Sequence, residues 1–260
     1  MELWKVIVIG IAEGITEWLP ISSTGHLLLL DAWMPLAMSE HFKEMFFVVI
    51  QLGAILAVVT EYWQRLYPRS PNAWPLWSRI LVGCLPAGVL GLLLDDLLEA
   101  YFGTPLTIAA MLILYGVLFI IVERRHPDPI VNEIEALPLS TAVAIGFFQA
   151  LAMIPGTSRS GATILGGLLL GVSRTAASEF SFFLALPTML GASALKLMKF
   201  GFDFTSNEIM TLVLGMSTAF LVSMASIRFL MTYIRSHDFK VFGWYRIALG
   251  ILVLLNIWQY

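Results

Sequence analysis

Apolar residues fall in blocks along the chain, and a helix needs about 20 of them to cross a bilayer core of about 30 Å. Six blocks meet that need, approximately Phe46 to Trp63, Ile80 to Leu94, Pro105 to Val122, Phe180 to Lys199, Ile209 to Met231 and Val241 to Trp258. The second is the shortest. Two more apolar stretches are each cut in the middle by proline, glycine and hydroxyls: Trp4 to Met34 at Pro20-Ile21-Ser22-Ser23-Thr24-Gly25, and Leu139 to Val172 at Pro155-Gly156-Thr157-Ser158-Arg159-Ser160-Gly161. Their halves, of about 10 to 15 residues, are too short to span. Each stretch is expected to form a re-entrant helix–loop–helix hairpin, whose irregular backbone survives at membrane depth only inside protein or against a wet cavity.

The order hairpin, span, span, span then occurs twice. The predicted fold is an all-α polytopic membrane protein of one integral domain, 1–260. Its two repeats are 1–125, with a hairpin at 4–34, and 136–260, with a hairpin at 139–172. Phe46-Phe47 leading to Leu52-Gly53-Ala54 is echoed by Phe182-Phe183 leading to Leu190-Gly191-Ala192. Three spans per repeat turn the second upside down relative to the first, and interrupted segments at matching places in inverted repeats point to a midplane site.

Composition agrees with this reading: 58% of the 260 residues are hydrophobic and 13% charged, more apolar surface than a water-soluble domain can bury. The net charge of -3 and the lack of a basic tract argue against a nucleic-acid partner. Met1-Glu2 opens no basic n-region, so insertion is expected to come from the helices. The lone Cys84 permits no internal disulfide and reads as a packing residue.

Arg65, Arg69 and Arg79 fall between the first two spans, and Arg124, Arg125, Arg174, Arg228, Arg235 and Lys240 fall around later links on the same side. Asp95, Asp96, Glu99, Asp203 and Glu208 occupy the opposite links. The positive-inside rule then puts both termini outside, with the first hairpin dipping in from outside and the second from the cytoplasm.

The loops carry the chemistry. Glu13 and Glu17, four residues apart, put two carboxylates on one helical face near its C-terminal end, where the dipole and the membrane both oppose them. A divalent cation, a shared proton or Arg159 could neutralise them. Ser22, Ser23 and Thr24 precede Gly25 and His26 at the start of the next half-helix, a place suited to an anion, with His26 able to act as base, acid or nucleophile. Arg159 is the one cation of the second broken segment, flanked by Ser158 and Ser160, with Thr163 a turn further on. A guanidinium fork among hydroxyls and helix N–H groups suits phosphate oxygens. Gln51 and Glu179 read as interhelix hydrogen-bonding residues, Glu61 and Arg65 as an i,i+4 pair, and His41, His126 and His237 as solvated loop residues.

EGITEWLPISSTGH from Glu13 to His26, PGTSRSGAT from Pro155 to Thr163, VVIQLGAILAVV from Val48 to Val59 and GVSRTAASEFSF from Gly171 to Phe182 closely resemble the undecaprenyl-diphosphate phosphatases of the bacitracin-resistance type, called BacA or UppP. The resemblance covers nearly the whole chain, although the Arg65 to Arg79 loop is short for that family. It implies a bacterial inner-membrane enzyme that hydrolyses undecaprenyl diphosphate to the monophosphate carrier reused in peptidoglycan synthesis. A divalent cation, magnesium or calcium, is implied as cofactor, with a site opening outward. Carried over by motif, Glu13 and Glu17 serve metal binding or base chemistry, and Ser23, Ser22 or His26 is the nucleophile. Arg159 holds the diphosphate with Ser158, Ser160 and Thr163, and Thr24 lies in the same loop. Direct attack by water stays open, as does a homodimer. A rival class is a lipid-phosphate flippase, since inverted repeats with broken helices also build secondary transporters.

Overall fold

The structure, a computed structural model, describes residues 2–70, 72–125, 128–201 and 203–257. His126 and Trp258 lie outside the described residues, and so do the side chains of Asp95, Asp96 and Glu99. Among the described residues every regular element is helical; one isolated bridge joins Val131 to Val172. The first broken segment forms α1 (Leu3–Thr16) and α2 (Ser23–Trp33), followed by α3 (Glu40–Val49), α4 (Gln51–Glu61), the short α5 (Trp63–Leu66), α6 (Ala73–Phe102) and α7 (Pro105–Arg124). A 3₁₀ turn at Ile134–Ala136 leads to the second broken segment, α8 (Leu139–Leu151) and α9 (Arg159–Leu169), and then to α10 (Arg174–Phe200), α11 (Ser206–Tyr233) and α12 (Lys240–Ile257). Six stretches are long and apolar enough to cross a bilayer: α3 with α4, the first part of α6, α7, α10, α11 and α12. The chain is an all-α, multi-pass membrane protein.

Three spans differ from expectation, among them α10, which begins at Arg174 rather than Phe180 because Ser173 caps it by accepting from the Ala176 N–H at 3.3 Å. The first begins at Glu40, because Ser39 caps it by accepting from the Phe42 N–H at 3.2 Å, and because Lys43 is covered by its 2.8 Å contact to Asp31. The second runs from Ala73 to Phe102, so Arg79 and residues 95, 96 and 99 belong to a helix rather than to links. Pro86 lies inside α6 without ending it, as neighbouring helices allow in membranes. His41 likewise lies in α3, its ring 4.9 Å from that of Phe200.

The helices approach closely where glycine permits. A Cβ on Gly116 of α7 would stand 2.7 Å from the Gly243 carbonyl of α12, and one on Gly243 would stand 2.7 Å from the Gly116 carbonyl. Such backbone-to-backbone crossings of small residues provide the packing that lipid cannot. The arms of the broken segments are clasped in a crossed manner, α1 along α11 and α8 along α6. Gly14 meets Ala219 O and Gly146 meets Gly83 O at these two crossings.

One end of the bundle gathers ion pairs. The expected Glu61–Arg65 pair does not form, because Tyr62 breaks the helix between them at φ -109°, ψ 19°. Arg65 instead reaches Glu179 and Glu135, each at 2.8 Å, and Glu61 takes Arg228 at 2.8 Å. Burial disfavours the Arg65 charge, but the two acids outweigh it and hold its guanidinium above its ordinary pKa. Arg174 grips the buried Glu123 at 2.5 Å. Glu179 thus makes the interhelix contact read from the sequence, whereas Gln51 opens α4, partly buried.

Candidate active site

Both broken segments resume as helices in the same way. Ser22 and Ser158 have φ of 74° and 72°, a left-handed backbone that residues other than glycine seldom adopt. Each caps the helix that follows, Ser22 Oγ accepting from the Gly25 N–H at 3.4 Å and Ser158 Oγ from the Gly161 N–H at 3.1 Å. A single S-x-x-G pattern therefore starts α2 and α9. Gly156, at φ +91° and with Ile108 O only 2.5 Å from where a Cβ would be, lets the second loop press against α7.

The two loops meet at Glu17. Its Oε1 accepts from Arg159 Nη2 at 2.7 Å and its Oε2 from the Ser23 hydroxyl at 3.2 Å. Ser23 and Arg159 are the first residues of α2 and α9, so one carboxylate is held between two helix N-termini. Such termini present free N–H groups and partial positive charge, which favour anions. Arg159 is fixed from behind: Nη1 donates to Ser181 O at 2.7 Å and to Ser181 Oγ at 3.2 Å, and the guanidinium lies 5.6 Å from the centre of the Trp18 ring. Thr163 Oγ1 contacts Ser181 Oγ at 2.7 Å, and Ser160 Oγ donates to Leu19 O at 3.3 Å, joining the loops a second time.

The residues singled out in the sequence thus divide by depth. Ser23, Ser158 and Arg159 are half-buried and Thr24 is exposed, forming an accessible rim. Glu13, Glu17, Ser22, Ser160 and Thr163 are buried, and the hydroxyls of Ser160 and Thr163 are spent on protein partners. His26 is not bonded to Ser23 or Glu17. Its Nδ1 lies 2.7 Å from Ser22 O, which makes Nδ1 the donor, and its Nε2 accepts from the Tyr245 hydroxyl at 2.7 Å.

Sequence reasoning missed Arg246. It is fully buried, and its Nη atoms donate to Pro20 O at 3.1 Å in the first loop and to Gly156 O at 2.9 Å and Thr157 O at 2.8 Å in the second. Tyr115 lies under it at 5.5 Å. An arginine at the seventh position of α12, a turn and more past Lys240, was the available signal, since intramembrane arginines seldom lack a task. Tyr245, Ser181 and Trp18 carried no comparable mark.

Among the described residues no group of three or more His, Cys, Asp or Glu side chains forms a metal cluster. The donors present are nevertheless hard oxygens. Both carboxylate oxygens of Glu13 are buried without a hydrogen-bond partner, one turn from Glu17. One or two carboxylates completed by phosphate and water oxygens suit magnesium, and calcium takes the same donor type. The residues fit such an ion.

Two interrupted helix pairs bring a serine, a carboxylate and an arginine together in a six-span membrane protein, an arrangement suited to an anionic ligand. Residues 6–252 match the family described as Bacitracin resistance protein BacA, and the chain belongs to that family. An undecaprenyl-diphosphatase of Enterococcus faecalis is 60% identical over 98% of this chain and 97% of its own length. One of Desulfitobacterium hafniense is 58% identical over 98% and 96%, and one of Streptococcus thermophilus 50% identical over 98% and 93%.

Proposed function

We propose that this protein hydrolyses undecaprenyl diphosphate to undecaprenyl phosphate and inorganic phosphate, returning the lipid carrier to peptidoglycan synthesis and conferring bacitracin resistance. Family membership and the relatives' names support the reaction. The observation that carries the site is Glu17 bridging Ser23 and Arg159 between two helix N-termini. The flippase reading has no comparable support.

The terminal phosphate sits against the N–H groups of α2 and α9, with Arg159, Ser158 and Thr24 as further donors. Glu17 takes the proton of Ser23 as its oxygen attacks the terminal phosphorus, and the bond to the bridging oxygen breaks, releasing undecaprenyl phosphate. Glu17 passes that proton to the departing phosphate, then takes one from the water that attacks the phosphoserine, and returns it to Ser23 as the serine–phosphorus bond breaks and inorganic phosphate leaves. His26, with both ring nitrogens engaged, orients the loop and the incoming water rather than forming the covalent bond. Glu13 and Glu17 are the residues that would hold magnesium or calcium, which would supply positive charge against the diphosphate oxygens. Ser22, Ser160 and Thr163 shape the floor, and Arg246 fixes the spacing of the loops.

The prenyl chain lies in an apolar groove of about 430 Å³ between α6 and α8, lined by Leu90, Leu94, Phe147, Leu151 and Ile154. Ile154 adjoins Pro155, so the groove ends at the phosphate loop. Two further parts of this reading concern architecture. The chain is an inverted repeat, supported by the matched left-handed serines and by the crossed clasping of α1 on α11 and α8 on α6. Its arginine-rich end faces the cytoplasm of the bacterial inner membrane, so that both termini lie outside and the site opens outward. A homodimer is proposed through the open α6 face, where an added Cβ at Gly88 or Gly91 meets nothing within 4 Å. A disulfide-linked dimer from Gly88→Cys supports it, and only monomer overturns it.

The function is tested by phosphate release from C55 diphosphate by purified protein in detergent, with magnesium, calcium or chelator. Metal-dependent release, lost in Arg159→Ala and in Glu17→Ala, is the expected result. No release by the folded native protein under any metal condition refutes the reading.

A further inference from the structure

The two broken segments stay in register beyond their loops. Glu13 stands nine residues before Ser22, and Gln149 stands nine residues before Ser158. Each lies in the last turn of its arm, Glu13 in α1 and Gln149 in α8. Each is buried, at 0% and 3% exposure, and neither makes a hydrogen bond of good geometry through its terminal polar atoms, Glu13 lying near Glu17 and Gln149 near the Cys84 thiol. Gln149 belongs to the inward face of α8 with Ile145 and Gly146, away from lipid. Other orphaned groups fall in the same two segments: Trp18 Nε1, Thr157 Oγ1 and Arg159 Nε. A buried amide with neither its donors nor its acceptor satisfied is costly unless something else meets it.

We propose that Gln149 is a diphosphate-binding residue of the hydrolytic site, its Nε2 donating to a phosphate oxygen and its Oε1 accepting from an ordered water. The proposal rests on the reading of the site given above. It explains why matched positions differ in charge. The Glu17 side of the site requires negative charge to hold a cation, and there the position is Glu13. The Arg159 side receives an anion, and there the same position is a neutral amide that offers donors with no repulsion.

The test uses Gln149→Met, close in size with no hydrogen-bonding group, and Gln149→Glu, which gives the second segment the acid of the first. The readouts are KM for C55 diphosphate, the inhibition constant of inorganic pyrophosphate, and the thermal midpoint in detergent. Gln149→Met should raise KM and the pyrophosphate constant at least tenfold while leaving the midpoint equal or higher, because an apolar isostere relieves an unsatisfied amide. Gln149→Glu should raise both constants further, and it carries the test alone if the methionine variant does not fold. Both constants within twofold of native overturn the proposal, whatever the midpoint does. Failure of the parent reading shows separately, as absence of release by the native protein. Pyrophosphate binding, followed by tryptophan fluorescence, then still tests Gln149.

Discussion

The Glu17–Arg159 pair ties stability to the site in a way that can be measured without any turnover. Its side chains are 8% and 13% exposed and its N···O distance is 2.7 Å. At an effective dielectric of about 20, two unit charges so placed attract by roughly 6 kcal/mol, much of it offset by their desolvation. Removing one partner strands the other, which costs about 3–5 kcal/mol. Arg159→Met should be the costlier change, because it leaves Glu17 one turn from the equally buried Glu13. Glu17→Gln leaves Arg159 its bond to Ser181 O. In a chain of this size such losses lower the thermal midpoint by roughly 6–20 °C. The double variant removes both charges and should recover about 3 kcal/mol relative to the sum of the singles. Melting in detergent, followed by the fluorescence of the eight tryptophans, reads all four proteins. Losses that add to within about 0.5 kcal/mol would refute the reasoning, since the pair would then not be coupled. All three variants should be inactive, so the double variant would be stable and dead.

Arg246→Met deprives three buried carbonyls of their donor and should destabilise by about 3 kcal/mol, with Arg246→Lys recovering only part for want of the planar fork; an unchanged midpoint would contradict the clamp. Gly243→Val drives a side chain into the Gly116 carbonyl and should abolish folded yield on size-exclusion chromatography, whereas Gly191→Val, with nothing within 4 Å, should not. Arg65→Gln, which breaks contacts to two acids, should lower the midpoint more at low salt than Arg228→Gln, whose guanidinium is exposed; equal effects would argue against the network.

Much of this was legible in the chain. Uniform apolar runs marked α7, α11 and α12 within a few residues, and proline with glycine marked both breaks. The second span was read too short because Arg79 and the acids beyond Leu94 resemble the polar ends of a helix, while a membrane helix extends past the apolar core. Glu61 and Arg65 failed as a pair because spacing is informative only within one helix, and Tyr62 ends that helix. At the site, Glu17, Ser23 and Arg159 were found because charges and hydroxyls stand out in apolar segments. Arg246 was not, because beside Trp244 and Tyr245 it reads as an interfacial anchor. Only the folded chain reveals that its targets lie 89 to 226 residues away.

The place of Arg246 in the chain has a consequence for biosynthesis. The loop carbonyls it fastens are translated at Pro20 and at Gly156 and Thr157, while their donor emerges later, on α12. Gly243, which seats α12 against α7, arrives just ahead of it. A nascent chain that stops short of α12 therefore has the Glu17–Arg159 and Ser160–Leu19 contacts between its two loops but not the buried guanidinium that fixes both backbones. Insertion of α12 is thus the event that locks the two loops together, and a chain terminated before it should lack activity.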